Sequence, residues 1–158
     1  MTSILPPFPK FVMTVFEPIS LVAGAVAPFL SAEWFIAEQI PLSLQTSVTD
    51  NARMVAMQLG NIYLLLMMVG VGVLYTTTEA KVVRNYVVAL WVADIGHVVV
   101  TAQVLGYDSL VDIGSWNSMT WGNVGVTVFL FLTRTAYLMG VFGPDLQPAT
   151  LRRHEKHS

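Results

Sequence analysis

Four ionisable side chains sit where an apolar chain can least accommodate them: Glu17, Asp94, His97 and Arg134. Asp94 and His97 lie three positions apart in VVALWVADIGHVVVTAQVL, so a helix puts both on one face. A charged group at the centre of a bilayer costs about 2.5–3.5 kcal/mol on insertion scales, so four of them point to mutual pairing or a watered chamber. Two carboxyls in unlike surroundings suit acid–base work, one holding a proton while the other accepts one. Glu17 and Asp94 are the candidate pair, with His97 tuning or relaying protons. Arg134, the amides of Gln58, Asn61 and Asn123, and the hydroxyl of Tyr63 supply donors for a water or a developing oxyanion. Trp116, Asn117 and Trp121 stand at the rim in WNSMTWGN, where indole faces can support cationic character. The chemistry open to such a set is proton transfer to and from an apolar small-molecule substrate. One-step epoxide opening suits an acid–arginine–acid arrangement. Protonation without addition of water would use the same groups.

A structural reading covers part of this set. A salt bridge between Asp94 and Arg134 would fix a bundle, and the amides would join helices. That leaves Glu17 as a surplus acid, which favours chemistry. There is no cysteine, and the remaining histidines, His154 and His157, stand near the chain end, so no metal site is expected. No phosphate-cradling glycine loop, dinucleotide fingerprint or serine-triad order is present, and no cofactor is expected. A net charge of −2 without a long basic run excludes a nucleic-acid partner.

The elements that must position these groups follow from hydropathy. The chain is 54% hydrophobic and 11% charged, against about 25% charged in an ordinary soluble domain. Its mean hydropathy is +0.63. At 158 residues it has too little interior to hide that much apolar surface from water. A helix needs roughly 20 apolar residues to cross a bilayer, and the chain offers four such stretches, at 11–30, 54–75, 86–105 and 121–142. The expectation is one all-α domain over 1–158: a four-transmembrane-helix bundle in the lipid bilayer. Glu17, Ser20 and Gly24 share a face, Gly24 allowing close helix contact. Pro18 predicts a kink if the first helix starts early. Trp34 and Phe35 read as interfacial anchors. Thr49, Asp50 or Asn51 caps the second helix, and the short break at 76–84 makes the second and third antiparallel neighbours. Asn123, Thr127 and Arg134 fall on one face of the fourth, which Gly143-Pro144 ends. Lys10, Lys81, Arg84, Arg152, Arg153 and Lys156 fall on one side and Arg53 on the other, placing both termini in the cytosol. The start, with Pro6, Pro7 and Pro9, does not read as a cleaved signal peptide.

Together FEPIS (16–20), QLGNIYLL (58–65), ADIGH (93–97), WNSMTWGNVG (116–125) and the Arg134 segment resemble a family of small four-helix fungal membrane proteins found with secondary-metabolite genes. Within it they are most similar to the epoxide hydrolases of aurovertin- and citreoviridin-type polyketide pathways, over nearly the whole chain. The resemblance implies opening of polyene-derived epoxides with cyclisation to oxygen heterocycles. It also implies fungal origin, an endomembrane location such as the endoplasmic reticulum, and no cofactor. Two rival expectations stand beside it. One is a membrane isomerase or terpene-type cyclase acting by protonation, a likeness of architecture alone. The other is a non-enzymatic scaffold or lipid-binding protein whose polar groups only pack helices. A homo-oligomer is compatible with each.

Overall fold

The computed structural model describes residues 3–41 and 47–146. Their regular structure is helical throughout. Helix α1 spans Pro7–Leu30 and carries a π-helical segment, Val12–Phe16, between its two α-helical parts. The short α2 is Ala32–Ala37, α3 is Asp50–Thr76, α4 is Ala80–Leu105 and α5 is Tyr107–Val111. Helix α6 covers 118–138 and again encloses a π-helical segment, Trp121–Val126. Three helices, α1, α3 and α4, are long and apolar enough to cross a membrane, and the chain is a membrane protein.

Each long helix departs from its expected bounds: α3 begins at Asp50 rather than at 54 and α4 at Ala80 rather than at 86. Helix α1 begins at Pro7 rather than at 11, because a proline in the first turn lacks only a donor that the helix would not use. The residues before it are core: Ile4 and Leu5 are buried against Met13, Leu74, Val83, Val87 and Tyr137. Helix α6 stops at Leu138, short of Gly143-Pro144. Gly140 has φ +75°, a left-handed turn that glycine adopts freely, and the Met139, Gly140 and Val141 amides close the helix end.

Helix α1 packs mainly on α3, and α4 mainly on α6. The α1–α3 contact is close because it runs over glycines. The Tyr63 ring lies on Gly24, as the expected close contact there requires, and Gly60 lies on the Ala25 carbonyl and the Pro28 ring. Thr49 caps α3, its hydroxyl accepting from the Ala52 amide at 3.2 Å. Only Thr77–Glu79 separate α3 from α4, which are antiparallel. At the other end, Phe35 is buried and so is no interfacial anchor, whereas its neighbour Trp34 is half exposed. The reason is local: with Ser31 capping α2, Ala32 and Phe35 form its inward face. An ion pair, Arg53–Glu33, ties α3 to α2 at this end.

Candidate active site

The site is built from α1, α4 and α6. In a regular helix the amide of residue 18 would donate to the carbonyl of Thr14, but Pro18 has no N–H. The chain answers with a π turn in place of the expected kink. The Glu17 amide reaches five residues back to the Val12 carbonyl, and the Tyr75 hydroxyl donates to the Thr14 carbonyl at 2.9 Å. Glu17 is the first residue after this turn and is buried. Asp94 belongs to the inward stripe of α4, with Val83, Val87 and Leu105. Arg134 comes from α6 and is 1% exposed.

These three side chains meet. Arg134 donates through Nη2 to Glu17 Oε1 at 2.5 Å and through Nη1 to Asp94 Oδ2. One guanidinium thereby ties α1, α4 and α6 at a single depth. Two buried side-chain polar atoms have no partner among the described residues, Arg134 Nε and His97 Nε2. Half-buried His97 lies close enough to Asp94 to act on its charge. Tyr86, absent from the expected set, also stands beside the cluster. Its ring is close enough to feel the charges of Glu17 and Arg134, and its hydroxyl lies over Gly70. Spacing gave little signal: Tyr86 precedes Asp94 by eight residues, which is about 80° around a helix of 3.6 residues per turn.

Two carboxyls on one guanidinium leave one formal negative charge unbalanced. A proton held within the set would offset it. The cluster can therefore carry one exchangeable proton, with the free Arg134 Nε–H as an unspent donor. Nearby hydroxyls do not compete for these groups. Thr14, Thr101, Thr133 and Thr135 donate to carbonyls of their own helices, and Thr135 also accepts from Trp91 Nε1 at 2.8 Å.

The other expected positioning residues lie elsewhere. Tyr63 is packing against Gly24. Gln58 and Asn61 are exposed and line an open hollow of about 460 Å³ with Asp50, Arg53, Met54 and Met57. Asn117 caps α6, its Oδ1 accepting from the Thr120 amide at 2.8 Å and its Nδ2 donating to Glu38 Oε2 at 2.8 Å. Asn123 Nδ2 donates to Gln39 Oε1 at 2.9 Å. Trp116 donates to the Ser109 carbonyl at 3.1 Å and meets Trp121 edge to face, centroids 5.0 Å apart. The physical reason is depth. Eleven residues separate Asn123 from Arg134, about 16 Å of helix rise, and the π turn through Asn123 also breaks the face they were expected to share. Glu38 and Gln39, which receive these rim amides, were not singled out in the sequence because they fall in a polar connection where acids and amides are ordinary.

The model of the family described as Domain of unknown function (DUF7704) matches residues 2–144. No curated protein and no solved structure matches the chain.

Proposed function

The chain belongs to the DUF7704 family, and we propose that this member is a membrane-embedded, cofactor-free epoxide hydrolase/cyclase acting on an apolar polyketide. The observation that carries the reading is the buried Glu17–Arg134–Asp94 cluster, with the unpaired Arg134 Nε and His97 Nε2 beside it. One carboxyl gives its proton to the epoxide oxygen as the C–O bond breaks. The other takes a proton from the attacking water, or from a hydroxyl of the guest, as the new C–O bond forms. One proton is given and one taken, so transfer between the carboxyls restores the starting state. Arg134 holds both acids, and its Nε–H stabilises the oxygen that gains negative charge. His97 tunes Asp94 or relays the returning proton.

The same reading makes α6 a fourth span, with both termini cytosolic. Lys10, Lys81 and Arg84 belong to the end where the buried Ile4–Leu5 segment, the α3–α4 turn and the end of α6 converge, and Arg84 donates to the Leu138 carbonyl at 3.3 Å. Arg53 stands at the opposite end. Arg152, Arg153 and Lys156, expected with the first group, lie outside the described residues. The endomembrane location and the polyketide substrate rest on the sequence resemblance.

Asp94→Asn and Glu17→Gln, each assayed in membranes with a polyene-derived bis-epoxide, test the proposal. Each change should lower turnover by about 100-fold or more while the protein is retained in the membrane. Isotope-labelled water separates the reactions: label enters a hydrolysis product and is missing after isomerisation or protonation-driven cyclisation. Full turnover by both variants would end the enzymatic reading. One observation favours a non-enzymatic staple instead, namely that both Nη groups of Arg134 are already committed to carboxylates from two other helices.

A further inference from the structure

The outer face of α3 carries a feature that neither the cluster nor the bundle uses. Met54, Gln58, Asn61, Leu65, Met68 and Gly72 recur at alternating steps of four and three. All of them are exposed. Steps of four and three make a 3.5-residue repeat, the period with which one helix presents a continuous seam to another. Gln58 and Asn61 lie about 12 and 16 Å along α3 from its first residue, at 1.5 Å per residue, which is inside the hydrocarbon of a helix that crosses the membrane. Neither amide has a hydrogen-bond partner among the described residues. Lipid tails offer neither donor nor acceptor, so an amide left there stays unsatisfied.

We propose that this seam is a homodimer interface, in which Gln58 and Asn61 pair with the same amides of a second copy of the chain. A side-chain amide carries both a donor and an acceptor, so it is complementary to itself across a two-fold axis. The rest of the seam agrees. Met54, Leu65 and Met68 are apolar knobs, and Gly72 has open space around it, which lets two backbones approach. The hollow beside Met54, Met57, Gln58 and Asn61 receives knobs from the second copy. The outer face of α4 makes no comparable demand, since its exposed positions Val88, Val92, Ile95, Val99 and Val100 are satisfied by lipid. The inference is independent of the reaction proposed above.

The chain has no cysteine, so single replacements report without background. Leu65→Cys and Met68→Cys, oxidised mildly in native membranes, should give disulfide-linked dimers about tenfold above Val92→Cys and Val100→Cys. Adding Gln58→Leu and Asn61→Leu to Leu65→Cys should lower the linked fraction about tenfold, with a monodisperse, folded protein in detergent. Monomer alone at the seam positions, equal linking on the two faces, or linking untouched by loss of the amides would each overturn the proposal. Protection of the seam by a different protein would appear as the first of these.

Discussion

At Arg134 a single planar guanidinium holds carboxylates from two other helices, and its substitutions should separate charge from geometry. Arg134→Ala leaves Glu17 and Asp94 facing each other without a counter-charge, at a cost of about 3–5 kcal/mol. Arg134→Lys keeps the charge but not the fork, so a point-like ammonium satisfies one acid well and the other poorly. Thermal unfolding in detergent should rank wild type above Lys above Ala. Removing the whole set, Glu17→Leu with Asp94→Leu and Arg134→Met, should restore stability to wild type or above, because no buried charge remains. The enzymatic reading requires that this stable protein make no product. If it does make product, the cluster is a staple. These three residues were legible in the sequence because nothing apolar excuses a charge in lipid. Tyr86 was not, since a tyrosine at the end of an apolar stretch is at home without any partner.

Helix faces can be counted from a sequence only while each residue turns the chain by the same amount. The π segments Val12–Phe16 and Trp121–Val126 break that count, one directly before Glu17 and one inside α6, ahead of Arg134. Pro18 signals the first, as a missing donor that has to be accommodated, but the same proline is equally compatible with a kink. Nothing in WGNVGV announces the second. That is why Asn123 was expected with Arg134 and stands instead against Gln39. Glycines were easier to read, and they supply a prediction at this scale. A Cβ on Gly60 would come within 2.8 Å of the Ala25 carbonyl and 2.7 Å of the Pro28 ring. Gly60→Ala should therefore separate α1 from α3 and cost about 1–3 kcal/mol. A Cβ on Gly96 meets nothing within 4 Å, so Gly96→Ala should stabilise α4 by roughly 0.5–1 kcal/mol. The same chemical change should thus shift the melting temperature in opposite directions at the two sites. Gly60→Ala should also lower turnover, since displacing α1 draws Glu17 away from Arg134.

For the molecule as a whole, the question is how α6 sits in the bilayer. It has 118–138 as its helical length, about 31 Å at 1.5 Å per residue, which matches a hydrocarbon core of about 30 Å. Its one charge, Arg134, is neutralised from within the bundle rather than left to lipid. Its far end meets the α3–α4 turn and the buried start of the chain, around Leu5, Leu74, Val83 and Tyr137. If α6 crosses, that whole apolar cap and its basic residues share one side of the membrane, opposite Arg53, Trp116 and Trp121. The three long apolar helices α1, α3 and α4 were legible as runs of hydropathy, whereas the cap was not, because Ile4 and Leu5 belong to no run. None of the five asparagines lies in an Asn-X-Ser/Thr acceptor, so engineered acceptors can report sidedness on an unmodified background. Acceptors on hydrophilic inserts between α2 and α3, and after Ile113, should be glycosylated in microsomes. Inserts ahead of Ile4 or after Leu146 should stay unmodified. A glycan after Leu146 with none ahead of Ile4 would put the two ends on opposite sides and remove α6 from the spanning set, and with it the depth at which Arg134 holds its two acids; glycans at both ends would keep four spans and reverse the orientation.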